Sequence, residues 1–329
     1  MSANPLTLSL TIGPLLYWWP RNAVMDFYAD VADSAASTVV LGELVCSRRN
    51  DFKHDDWLAL ARDLASAGKS VVLGSMALLA TEAELRSAAR LAEQDEFAVE
   101  AGDISALGRL ARAARARPQR PPFVLGPHIN VYSRPALVEH AALGAGTWVA
   151  PLELGLDAVA RVNPPDDRVP GPAGPVRTEV FGFGRMPLAF SARCFTARHH
   201  RLSKDDCDFR CRQDADGLLL SATDGQPFLA LNGIQTQSAA LHCLVQEADT
   251  LRAAGVDSVR LSPCSRDFAR VIQIFDDAYQ GRLPAGDALT ALQALDLPGA
   301  LVSGFAHQQP GLQPVAARQA VRQPVHQGS

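Results

Sequence analysis

Short apolar runs alternate with helix-like stretches along most of this 329-residue chain, and no other feature limits its fold so tightly. The runs are LTLSLTIG, STVVLGEL, SVVLGSMA, EFAVEAG, PFVLGPHI, TWVAPLEL, RTEVFGFG and DSVRLSP. Several are almost wholly apolar, as expected of parallel strands covered on both faces. Between them, helical patterns cover residues 55–67, residues 82–93 after a Thr81 cap, a segment opened by Asp103, and a long stretch at 236–253. Gly68, Gly144 and Gly255 fall where helices should stop.

About eight such β/α units point to an α/β fold of barrel type, parallel strands ringed by helices. An open doubly wound sheet would carry a phosphate-binding glycine fingerprint after a strand, and none is present. We expect one barrel-like domain over residues 1–307. It carries a cysteine-bearing insertion after a late strand (about 186–216), a flexible Pro/Gly-rich loop (about 162–177) and a disordered glutamine-rich tail (308–329).

With 47% hydrophobic residues the chain can bury a sizeable core, and its net charge of -4 gives no reason to expect a nucleic-acid partner. Arg109, Arg112, Arg115 and Arg117 read as a solvated helix face. No run of about eighteen apolar residues suggests a membrane span. The first residues, MSANPLTLSLTIGPLLYWWP, lack a positive n-region, so a cytoplasmic location is expected. Six cysteines in a reducing compartment favour metal or catalytic use over disulfides.

Cys194, Cys207 and Cys211 are separated by twelve and three residues, and Cys46 lies far upstream in LGELVCSRRN. Converging thiolates are soft anionic ligands suited to an iron–sulfur cluster or a structural zinc, and the spacing permits either. The insertion is charged and poor in apolar mass, so an inorganic centre would supply the stability its side chains lack. Cys243 in AALHCLVQEA and Cys264 in LSPCSRD read as packing thiols.

The segment EVFGFGRMPLAFSARCFTAR resembles the signature of the collagenase-like peptidases of family U32 at Glu179, Phe181, Gly184, Ser191, Arg193 and Cys194. GPLLYWWP, LGELVCSRR, LNGIQT and VRLSP extend the likeness to about Phe305. Many members carry another cysteine where this chain has Pro187, and the branch that instead takes a ligand from a GE-x-VC element matches best, with that element ending here in Cys46. The proline-rich loop, the glutamine-rich tail and SGFAHQQPG depart from the family pattern.

The resemblance implies a barrel whose Cys46, Cys194, Cys207 and Cys211 hold a [4Fe–4S] cluster. It implies a heterodimer with a UbiU-like subunit that hydroxylates ubiquinone precursors without dioxygen, drawing oxygen from prephenate. A sterol-carrier-type lipid-binding accessory protein would present the apolar substrate. Four ligated irons leave no open coordination site, which favours an electron-transfer or bracing role. Relatives that hydroxylate tRNA or rRNA, and a zinc-stabilised peptidase-like or binding module, are the alternatives. No protease motif is visible.

Other residues invite roles beside blander ones. His199 and His200 are donors to cluster sulfur or an exposed pair. Arg193, Arg198 and Arg201 neutralise an anionic centre or face a partner. His128, past a strand end, is a working or a structural histidine. Glu43, Arg48 and Asn232 are candidates for holding a dicarboxylate.

Overall fold

The computed structural model describes residues 7–315. Strands β1 (Ser9–Ile12), β2 (Thr38–Leu41), β3 (Ser70–Gly74), β4 (Ala98–Ala101), β5 (Phe123–Leu125) and β6 (Ala145–Val149) pair in parallel, each with the next. After a small hairpin of β7 (Pro170–Gly171) and β8 (Gly174–Pro175), the long strand β9 (Arg177–Phe190) pairs in parallel with β6. The later strands are β10 (Leu218–Ser221), β11 (Pro227–Asn232), β12 (Gln235–Cys243), β13 (Ser258–Leu261) and β14 (Leu301–Val302). Strand β13 lies between β9 and β1 and closes the ring. Eight parallel strands thus form a barrel, and they are the eight runs read from the sequence.

Helices α1 (Arg21–Asp33), α2 (His54–Ser66), α3 (Glu82–Glu93), α4 (Ile104–Ala116), α5 (Arg134–Ala142) and α6 (Leu156–Val162) each follow one of the first six strands. Thr81 caps α3 by accepting from the Glu84 amide, and Asp103 caps α4 through the Ser105 amide. Gly68, just past α2, has φ +87°, a conformation glycine adopts without steric cost.

Strand alternation sorts the core into two parts. Leu10, Ile12, Val39, Leu41, Val71, Leu73, Phe123, Leu125, Val259 and Leu261 point outward and join the helices in the main core. Their alternating neighbours Val40, Val72, Val124 and Val149 form a separate cluster. Beside them sits a buried ionic network. Arg260 donates to Glu179 at 2.6 Å and to Glu100 at 3.1 and 2.5 Å, while Thr11 and Ser258 donate to Glu179 at 2.7 and 2.9 Å. Burial alone would raise the Glu179 pKa, but the Arg260 charge and these hydrogen bonds hold it below the usual carboxylate range.

Between β9 and the next barrel-ring helix, α8 (Ala248–Ala253), the chain makes a long excursion containing α7 (Phe195–His199) and β10 to β12. The long helix expected at 236–253 is therefore corrected. Residues 235–243 form β12, antiparallel to the outer half of β9, and only Ala248–Ala253 is helical. Helix-favouring Ala and Leu are overridden because pairing with β9 and β11 buries this stretch on both faces. Gly184, at φ +118°, lets β9 pass close to Ser262 as it leaves the barrel.

The proline-rich segment is anchored at both ends. Buried Asn163 accepts from the Val169 amide at 2.9 Å and donates to the Val176 carbonyl and to Thr178, both at 2.9 Å. Helices α9 (Phe268–Tyr279) and α10 (Ala285–Gln293) complete the wall, and β14 pairs with β12. Residues 308–315 fold back on the domain, with Val315 donating to the Leu301 carbonyl and Ser303 to that of Gln313. The rest of the expected disordered tail, 316–329, lies outside the described residues. Among the described residues no helix is long and apolar enough to cross a membrane.

Candidate thiol site at the barrel mouth

Cys46 lies on the loop after β2, and Cys194, Cys207 and Cys211 lie in the excursion after β9. Both segments leave the C-terminal ends of barrel strands, the face on which such barrels build their sites. Cys46 and Cys194 pack on one small apolar cluster of Leu16, Leu44, Val45 and Ile234, which Phe190 also joins. Cys211 is close enough that both of those thiols bear on its ionisation. Three thiols from distant parts of the chain thus share one neighbourhood. The Cys207 thiol is half-buried, and among the described residues it makes no hydrogen bond to the other three. Nor do any three His, Cys, Asp or Glu side chains there converge on a single metal ion.

Arg49, passed over in the sequence reading, organises the site. Its guanidinium is buried, donating to the Leu16 carbonyl at 2.7 Å and to the Asn232 side-chain oxygen at 2.6 Å. Asn232 in turn donates to the same Leu16 carbonyl at 2.7 Å. Arg49 Nε is buried with no hydrogen-bond partner. Glu43 accepts from the Val45 and Cys46 amides at 2.8 and 3.0 Å and stands 3.8 Å from Arg49, shaping the Cys46 turn. Arg48 donates to the Lys204 carbonyl at 2.8 Å and lies 5.5 Å from the Phe209 ring centre, tying the Cys46 loop to the insertion. Glu43, Arg48 and Asn232, candidates for holding a dicarboxylate, are engaged here in building the loop.

The two tryptophans of GPLLYWWP grip the arm that bears Cys211. Trp18 donates to Asp51 at 2.7 Å, Arg212 stacks 3.8 Å over its ring centre and also binds Asp51, and Phe209 meets it edge-on at 4.9 Å. Trp19 donates to the Ala215 carbonyl at 2.8 Å. The Cys194 arm is fixed through LNGIQT. Phe195 donates to the Gly233 carbonyl, the Gly233 amide to Thr196, and the Ala197 amide to Cys194 Sγ at 3.4 Å.

Burial raises the Cys46 and Cys211 thiol pKa values, opposed by the Arg49 charge and, at Cys46, by the Arg48 amide. The protein therefore supplies donors that favour thiolates but stops short of stabilising them unaided. A cationic inorganic centre would provide the remainder. The donor set, soft sulfur with N–H groups aimed at it and one unpartnered buried N–H, fits such a group.

Other candidates fall elsewhere. Cys243 and Cys264 are buried, and burial pushes each thiol up to about 12, as suits packing residues. His199 and His200 meet edge-to-face at 5.0 Å; His199 is exposed, while His200 Nε2 is buried without a partner. Arg193, Arg198 and Arg201 are exposed around α7. His128 meets Phe190 edge-on at 4.8 Å, and burial, with the Arg260 charge, drives its pKa down to about 4.

A closed (β/α) barrel with a cysteine-bearing excursion at its C-terminal mouth defines the class. Residues 23–289 match peptidase family U32, and the chain belongs to that family. Among solved structures, a chain of the tryptophan synthase complex from Pyrococcus furiosus is similar, at 12% identity over 85% of this chain and 97% of that one, with a TM-score of 0.42. A U32 peptidase is similar at 13% identity over 79% of this chain and 94% of that one, with a TM-score of 0.38.

Proposed function

We propose that this chain is a UbiV-type subunit. With a UbiU-like partner it forms a cytoplasmic heterodimer that hydroxylates ubiquinone precursors without dioxygen, with prephenate as oxygen donor. A sterol-carrier-type protein presents the prenylated substrate. Cys46, Cys194, Cys207 and Cys211 hold a [4Fe–4S] cluster.

The observation that carries this reading is the meeting of Cys46 with Cys194 and Cys211 around buried Arg49. In a four-iron centre each thiolate binds a different iron, so its ligands stand farther apart than four ligands of one zinc. When bound, such a centre supplies one-electron chemistry or braces its surroundings. The residues' own part is to present sulfur and donate hydrogen bonds to it, Arg48 N to Cys46 and Ala197 N to Cys194. Arg49 adds a buried positive charge.

The test is purification without air, followed by a visible spectrum and iron analysis. A brown protein with about four irons per chain is expected. Cys207→Ala should lose the colour and Cys243→Ala should keep it. Iron-free protein that still supports quinone production in cells would end the proposal.

A further inference from the structure

A cleft of about 340 Å³ opens at the C-terminal ends of β2 and β3, between α2 and α3. Barrels of this kind bind small molecules at that face, and the volume lies in the range of ligand pockets. One wall carries Trp57, stacked on Phe52 with centroids 4.7 Å apart, while the Arg21 guanidinium lies 4.3 Å over the Phe52 ring. Met76, Leu79 and Leu91, half-buried like the two rings, continue the apolar lining. Large apolar side chains left half-covered in one concavity, rather than scattered singly, mark a binding surface.

The charge that remains available there is positive. Lys53 and Arg90 line the same cleft. Arg90 is exposed, and its side chain makes no hydrogen bond or ion pair among the described residues. The two carboxylates of the lining are engaged elsewhere. Glu84 accepts from Ser47 at 2.6 Å and from the Ala80 and Thr81 amides at 2.8 and 2.9 Å. Glu43 accepts from the Val45 and Cys46 amides beside Arg49.

We propose that this cleft binds an aromatic carboxylate, its ring against Trp57 and its carboxylate held by Arg90. The planar fork of arginine suits a carboxylate, and flat rings suit an aromatic wall. Ser47 and Arg49 line the cleft and flank the Cys46 turn, so the bound ring lies beside the thiol site. The inference stands on the cavity and adds a ligand class to the functional reading without depending on the cluster.

The experiment titrates benzoate, phenol and cyclohexanecarboxylate into the full chain, followed by ligand-observed NMR. Benzoate should bind saturably and about tenfold more tightly than either control. Arg90→Ala, at an exposed position, should weaken benzoate about tenfold and leave phenol unchanged. Trp57→Leu, checked for an intact circular dichroism spectrum, should lose benzoate binding. Absence of saturable benzoate binding, or an Arg90→Ala variant that binds it like the parent, overturns the proposal. The chain is purified without air, and iron is measured on the same sample. Benzoate binding by iron-free protein keeps the cleft and removes the cluster, whereas an iron-loaded chain that ignores benzoate does the reverse.

Discussion

The Arg49 guanidinium donates to the Asn232 side-chain oxygen at 2.6 Å, joining residues 183 positions apart. Because Asn232 also binds the Leu16 carbonyl that Arg49 reaches, three segments lock together at one buried point. They are the loop after β1, the turn after Cys46 and the end of β11. The relative positions of the Cys46 and Cys194 arms follow from that lock, since Gly233, next to Asn232, holds α7.

Arg49→Met leaves Asn232 Oδ1 buried without its donor and should cost about 3 kcal/mol of stability, read by chemical denaturation. Arg48→Ala is the comparison. Its half-exposed side chain makes one hydrogen bond to a carbonyl and a long pair with exposed Asp205, so its loss should cost less than about 1 kcal/mol. Equal losses would show that Arg49 is not the organising residue.

Stability should fall in mild acid, well before ordinary carboxylates titrate. Burial drives the pKa of both His128 and His242 down to about 4, and the Nδ1 of His242 is buried without a partner. In the unfolded chain histidine titrates near 6.5, so between about 4 and 6.5 the unfolded state holds more protons and stability rises with pH. The contribution is complete above about 6.5 and is lost towards 4, at up to about 3 kcal/mol for each histidine. His242→Leu should remove roughly half of that slope in denaturation curves taken from pH 7 to 5. A parent protein with a flat profile over that window contradicts the argument.

All eight barrel strands were legible because each is a compact apolar run between helical patterns, a signal set by local burial. The excursion was not. QTQSAALHC has a helical composition, and its strand character comes from pairing with β9 and β11, which no local pattern records. The lumen network was visible only as Glu100, Glu179 and Arg260 standing as isolated charges in apolar strands. At the thiol site the cysteines were legible by spacing and wording, but the organising part of Arg49 was not. Which of two adjacent arginines turns inward depends on the turn closed by the Arg49 amide on the Cys46 carbonyl at 3.0 Å, a tertiary fact.

The six thiols should divide into two chemical groups. Cys46, Cys194, Cys207 and Cys211 are half-buried, whereas Cys243 and Cys264 are buried with pKa values pushed to about 12. Only thiolate reacts with iodoacetamide. In chelator-treated folded protein, mass spectrometry should find label on the first four alone, and guanidinium should release the other two. Modification of Cys243 before unfolding would show that its burial is incomplete.

The lumen network should be costly to break from one side. Arg260→Met removes the one guanidinium that, among the described residues, pairs with Glu100 and Glu179, and leaves two carboxylates buried together, at a cost of about 4 kcal/mol. The pH dependence separates this cause from simple loss of packing. With Arg260 present, Glu179 titrates below the normal range, so its stabilisation holds at neutral pH and is lost only in acid. Without it, burial raises the Glu179 pKa unopposed by that charge, and the penalty of keeping the carboxylate charged grows as pH climbs above the unfolded value. The deficit of Arg260→Met relative to the parent should therefore narrow from pH 8 to pH 5. Adding Glu100→Gln and Glu179→Gln should recover much of the stability at pH 8, because neutral amides need no counter-charge. A deficit independent of pH would assign the loss to packing rather than to charge.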